Sequence, residues 1–199
     1  MNHTHSIQCR CGTVRGALSE PEDALREICY CRDCQTYAYA LGEAEKVLDH
    51  NGGTGIVATV QERVAITHGR EHLACMSLTE RGLYRWYAAC CRTPLANTTR
   101  RPQMSYVGLV HSCLSPTPNG VAERWPAYFT VNTSHAKGAV ESPGAKALFG
   151  SLAIARMVLS ARFRGSWRRS PFFASGTSQP VCSPLVLSLE QLQSARSAV

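Results

Sequence analysis

The pattern of apolar and polar positions divides the chain into a long strand-like part and a shorter helix-like part. "GIVATVQERVAITHG" (55–69) is rich in β-branched residues and partly alternating, and reads as two strands. Further strands are predicted in "REHLACMSL", "GLYRWYAACC", "SYVGLVHSCL" and "AYFTVNT". Between Ile7 and Leu18 the pattern is strand, cysteine-bearing turn, strand. "PEDALREICYC" opens with Pro21 near a short helical start, and "NGG" at 51–53 is a turn signal. The pattern changes after Val140. In "ESPGAKALFGSLAIARMVLSARF", Ser142-Pro143 marks a helix start, and Leu148, Leu152, Leu159 and Phe163 recur at helical spacing. "GSWRRSPFF" and "PVCSPLVLS" read as loop and short strands, and "SLEQLQSAR" as a last helical turn. The expected fold is mainly β (α+β), an antiparallel body over residues 1–140 with a C-terminal extension over 141–199 packed on it.

At 199 residues the chain can bury a real core without disulfides or metals. Its formal net charge of +7 is concentrated late, in Arg156, Arg162, Arg164, Arg168 and Arg169. Such a surface attracts anions, or simply keeps the protein solvated. No apolar run reaches membrane-spanning length, and "LAIARMVL" is interrupted by Arg156. "MNHTHSIQCRCG" lacks the apolar core of a secretory leader, so a cytoplasmic location with reduced thiols is expected. The ten cysteines then point to metal binding or catalysis rather than bridges.

Seven cysteines fall in three groups: Cys9 and Cys11 in "CRCG", Cys29, Cys31 and Cys34 in "CYCRDC", and Cys90 and Cys91 in "ACC". Cys75, Cys113 and Cys182 stand alone and are expected in the core. A C-x-C followed by C-x-C-x-x-C and a later pair suits zinc. Two pairs joined through the fold make a closed site, whereas three thiolates leave a corner for chemistry. "HGREH" (68–72) matches an inverted zinc-protease pattern, which would need His68 and His72 on one helix face with Glu71 as base. Its strand-like flanks and Gly69 predict a turn instead.

"CRCGTVRG", "CYCRDCQTYAYAL", "HGREHLACMSL" and "RWYAACCRTPLANT" occur in an order that resembles the glutathione-dependent formaldehyde-activating enzyme family, which includes centromere protein V-like proteins. The resemblance covers the first half of the chain. The later "RFRGSWRRSPFF" resembles an uncharacterised subgroup rather than the enzyme itself. The resemblance implies two zinc ions on a largely β fold. One is structural, on Cys9, Cys11 and Cys91; the other is catalytic, on Cys29, Cys31 and Cys34. The implied activity is a carbon–sulfur lyase of the S-(hydroxymethyl)glutathione synthase type, with glutathione or another small thiol as substrate. Arg32 is then a candidate to clamp a substrate carboxylate, and Asp33 either orients a ligand or caps the turn. Tyr30 stands where the family often has histidine, so no acid–base role is expected of it.

The chain departs from the family in the late pair. Arg92 replaces a glycine, the first family cysteine falls at Ala88, and Cys90 adjoins Cys91 instead. Adjacent side chains in an extended chain point apart. Either the turn is reshaped so that both bind, or the site uses three cysteines and something else. The rival reading is a non-enzymatic zinc-binding module whose basic C-terminal region meets a protein, nucleic acid or membrane. The helix at 145–163 is expected to pack its apolar face on the β body, so neither nucleic acid nor membrane is expected as a partner. The oligomeric state is left open.

Overall fold

The computed structural model describes residues 3–114 and 118–199. The first half contains β1 (Thr4–Gln8), β2 (Arg15–Ser19), β3 (Leu25–Cys29), α1 (Arg32–Ala40), α2 (Ala44–Val47) and β4 (Thr54–Val60). Then come β5 (Val64–His68), β6 (Leu73–Ser77), β7 (Tyr84–Ala88), β8 (Pro94–Thr98) and β9 (Tyr106–Val110). The C-terminal part holds α3 (Pro118–Arg124), β10 (Tyr128–Val131), α4 (Ala145–Phe163), β11 (Leu185–Val186) and α5 (Leu189–Ser197).

The strands form two sheets. The smaller has the order β1-β2-β5, and the larger β10-β3-β4-β9-β8-β7-β6-β11. Most neighbours are antiparallel, but β10 runs parallel to β3 and β11 parallel to β6, so the large sheet is mixed. The fold is α+β, as expected, with the two outer strands of the large sheet supplied from the later part of the chain. α5 packs on α1, and α4 on β4 and β10.

One apolar cluster joins both sheets. Ile7 and Leu18 meet Leu73, Trp86, Leu95 and Leu109 there. Trp86 is wholly buried, donates its indole N–H to Thr98 Oγ1 at 2.9 Å, and lies 5.0 Å from the Phe172 ring. The "SPFF" segment therefore lies in the core rather than in a surface loop. Cys75 and Cys113 are buried and Cys182 packs against the same cluster, as expected of lone cysteines. Among the described residues no helix is long and apolar enough to cross a membrane.

The short helical start at Pro21 is present as a 3₁₀ turn (Pro21–Asp23); it gives way to β3, and the longer helix of this region is α1, beginning after Cys31. The expected inward face of α4 needs correction. Leu148, Leu152, Leu159 and Phe163 point outward, and the helix packs through Ala147, Gly150, Val158 and Ala161. The reason is distance. A Cβ at Gly150 would lie 2.3 Å from the Phe129 ring, so only small residues let the helix axis approach β10.

Candidate metal centres

The turn between β1 and β2 and the turn between β7 and β8 meet at one edge of the molecule. They bring Cys9, Cys11, Cys90 and Cys91 together, all four sulfurs within 4.8 Å of one another. Sγ separations are 3.5 Å for Cys9–Cys11, 3.3 Å for Cys11–Cys90, and 3.9 Å for Cys9–Cys90 and for Cys90–Cys91. A tetrahedron with ~2.3 Å metal–sulfur bonds requires sulfurs ~3.8 Å apart. The donor set therefore fits one four-coordinate ion. The Val14 N–H points at Cys9 Sγ from 3.2 Å, and the Thr93 hydroxyl lies 3.1 Å from Cys91 Sγ. The Cys11 thiol is held down to about 6, first by its hydrogen bond with the Thr13 hydroxyl. These are the neighbours that thiolates need.

The structure resolves the adjacent pair. The chain leaves β7 in a tight turn, with the Cys91 and Arg92 N–H groups both donating to the Ala88 carbonyl. Arg92 adopts a left-handed conformation, φ 58°. This reshaped turn, not an extended chain, carries Cys90 and Cys91, so both sulfurs face the same point. Ala88, at the family's first cysteine position, is buried in β7 and takes no part. A left-handed L-residue costs about 1 kcal/mol, and glycine's greater freedom in the unfolded chain returns about half of that. Arg92→Gly should therefore raise stability by about 0.5 kcal/mol with unchanged metal content, read as a higher urea midpoint. A lower midpoint would mean that the arginine side chain contributes more than its backbone costs.

The second cluster is local in sequence. Cys29 ends β3, Cys31 caps α1, and Cys34 lies in its first turn. The Cys34 N–H donates to Cys31 Sγ at 3.3 Å, the role an oxygen usually fills at a helix N-terminus. These three sulfurs also lie within 4.8 Å of one another, and among the described residues no fourth cysteine, histidine or carboxylate joins them. The helix is held over the sheet by Tyr37, which donates to the Trp86 carbonyl at 2.9 Å. Buried Gln35 ties it to the chain after β10 by donating to the His135 carbonyl (2.9 Å), and to the chain before α1 by donating to the Tyr30 carbonyl (3.0 Å).

Three further residues surround the triplet, and sequence reasoning missed them. Arg85, on β7, is only 3% exposed. It donates to Asn97 Oδ1 at 3.2 Å, points at Cys34 Sγ from 3.8 Å, and stacks 5.2 Å from the Tyr37 ring centroid. The Cys34 thiol lies well below its ordinary range, through hydrogen bonds with Cys29 and Cys31 first and the Arg85 charge after them. Asn132, in a left-handed conformation just after β10, donates to Cys29 Sγ at 3.4 Å. Glu27 lies two residues before Cys29 on β3. Burial pushes its carboxyl up to about 7, against the hydrogen bond it accepts from the Tyr106 hydroxyl at 3.2 Å.

Among the described residues, the side chains of the other sequence candidates make no hydrogen bond to the sulfurs. Tyr30 donates its hydroxyl to Asp49 Oδ2 at 3.2 Å. Asp33 faces Arg196 of α5 at 3.5 Å, and Cys31 rather than Asp33 caps the helix. Arg32 is exposed. "HGREH" forms the turn between β5 and β6, with Gly69 at φ 66° and a 3₁₀ turn over Arg70–His72, so its histidines share no helix face. A cavity of about 610 Å³ opens beside the four-cysteine cluster, lined by Cys9, Arg10, Glu43, Lys46 and His111 among others. No triplet cysteine lines it.

Fold and sites define a cysteine-rich α+β protein with two all-sulfur clusters, each able to hold a metal ion. The chain belongs to a family of unknown function, DUF6151, which matches residues 1–182. No curated protein matches it.

Proposed function

We propose that the protein is a zinc-dependent carbon–sulfur lyase acting on a small thiol adduct, of the kind that joins glutathione and formaldehyde in S-(hydroxymethyl)glutathione. One observation carries this reading: the two clusters differ in ligand number. Cys9, Cys11, Cys90 and Cys91 complete a tetrahedron, while Cys29, Cys31 and Cys34 stop at three. Closed sites are structural, and three-ligand sites keep a position for substrate. All-sulfur donor sets with tetrahedral spacing favour zinc.

In the forward direction the thiol sulfur bonds to the carbonyl carbon, and the thiol proton is transferred to the carbonyl oxygen. Bound zinc supplies Lewis acidity toward an oxygen or sulfur atom at the triplet. The chain does the rest. Asn132 and the Cys34 N–H orient Cys29 and Cys31. Arg85 offsets the negative charge of three thiolates. Glu27, a buried acid held near neutrality, can hold or release a proton beside the cluster. Arg32, exposed at the start of α1, is the residue we assign to a substrate carboxylate. The family resemblance in the first half of the chain adds the substrate class.

The second reading, a non-enzymatic metal-binding module, is favoured by the position of the cavity, which opens beside the four-cysteine cluster and has no triplet cysteine in its lining. The deciding experiment uses the zinc-loaded full chain with glutathione and formaldehyde, followed by exchange NMR, and then a panel of other thiol adducts. Acceleration by the native protein and none by Cys31→Ala, with unchanged circular dichroism, is the expected result. Uncatalysed rates across the whole panel would leave the module reading.

A further inference from the structure

α4 is apolar on two opposite sides. Its inner side packs Val158 and Ala161 on Val60, with Ile154 and Met157 beside them. Its outer side carries Leu148, Phe149, Leu152, Leu159 and Phe163, which are 49–85% exposed. At ~100° per residue these five fall within one arc about 100° wide. A helix that is apolar all round is normally covered all round. This one is covered on one side only.

The charges around the arc indicate what covers the other side. Between 145 and 163 the charged residues are Lys146, Arg156 and Arg162, and there is no aspartate or glutamate. Arg156 lies within the apolar arc and Arg162 about 40° outside it, on the Leu148 side. Among the described residues neither has an ion-pair partner, whereas Glu62 occupies Arg164 and Arg169. Partly buried Trp167 follows the helix, with the Arg168 guanidinium 4.6 Å from its ring. A second copy fits poorly, because two-fold pairing of these arcs would set Arg156 against its own counterpart. Nucleic acid has no use for five large apolar side chains. The arc is a convex ridge tipped by Phe163, which suits a flat, deformable surface.

We propose that α4 and the residues through Trp167 lie on the surface of a bilayer containing anionic lipid. Leu148, Phe149, Leu152, Leu159 and Phe163 enter the boundary between headgroups and acyl chains. The stems of Arg156 and Arg162 run along the apolar surface while their guanidinium groups meet lipid phosphates. Trp167 sits at the interface, where indoles collect. This proposal rests on α4 and not on the metal reading. It reverses the sequence-based expectation of no membrane contact, for the reason that the packed face and the exposed face had been interchanged.

The test is co-sedimentation of the full chain with vesicles of phosphatidylcholine alone and of phosphatidylcholine with phosphatidylglycerol. Binding to the anionic vesicles, weaker in high salt, is expected. It should come with a blue shift in tryptophan emission from Trp167, since Trp86 and Trp125 are already buried. Phe149→Ser with Phe163→Ser should weaken binding about tenfold or more, and so should Arg156→Glu with Arg162→Glu. All four positions are exposed, so circular dichroism and metal content should not change. The proposal fails if neither vesicle binds the protein, or if both double variants bind as the native chain does. It also fails if light scattering shows a dimer that the phenylalanine variant abolishes, because the arc would then be a contact between copies.

Discussion

Cys90→Ser protein should lose one metal ion and unfold about 6–12 °C below the native protein, whereas Cys31→Ala should lose one ion and unfold within a few degrees of it. The difference follows from where the ligands sit in the chain. Cys9 and Cys90 are 81 residues apart and belong to turns of different sheets. A metal held between them closes a long loop and clamps the small sheet to the large one, and such clips stabilise most. A loss of about 3 kcal/mol is modest against the binding energies of structural zinc sites, and in a chain of this size corresponds to about 2–4 °C per kcal/mol. Cys29, Cys31 and Cys34, by contrast, lie within one strand end and one helix turn. With that metal gone, α1 is still held by the Tyr37–Trp86 bond and by Gln35. Elemental analysis beside near-UV thermal melts checks both halves. Equal melting losses for the two variants would show that the triplet is as structural as the four-cysteine cluster.

The cysteine grouping was legible because spacing is local information: C-x-C and C-x-x-C bring thiols close whatever the rest of the chain does. Strands β4 to β7 were legible for the same reason, from β-branched and aromatic runs bounded by turns. What escaped depends on long-range placement. The parallel pairing of β10 with β3 sets Val131 beside Cys29 and so delivers Asn132 to the sulfur. No local pattern around Asn132 announces this. α1 was missed because its cap is a cysteine, which is not among the residues that signal a helix start. The spacing of Leu148, Leu152, Leu159 and Phe163 did identify a helix. It could not say which side was covered, since Ala147, Gly150, Val158 and Ala161 repeat with the same period. The Cys90–Cys91 pair was ambiguous because the tight turn that aims both sulfurs closes on the Ala88 carbonyl and ends in a left-handed Arg92, and neither can be read from composition.

Arg85→Met should weaken metal binding at the triplet about 10–100-fold and leave the four-cysteine site unchanged. The guanidinium is buried, and its described partners are one amide, one aromatic face and the Cys34 sulfur, with no carboxylate among them. A buried cation without an anion would cost several kcal/mol, and the group it faces is the Cys34 sulfur, whose thiol is held well below its ordinary range. Three thiolates and a divalent ion sum to minus one, and Arg85 brings the buried group to zero. Methionine fills much of the same space but leaves the negative charge uncompensated, whereas Arg85→Lys keeps the charge and loses the planar stacking on Tyr37. Chelator competition should therefore rank native, Lys and Met in order of falling triplet affinity, with the second ion released at one common chelator concentration. If the methionine variant holds both ions as tightly as the native protein, Arg85 serves only to pack α1 against β7, and the triplet's charge is balanced elsewhere.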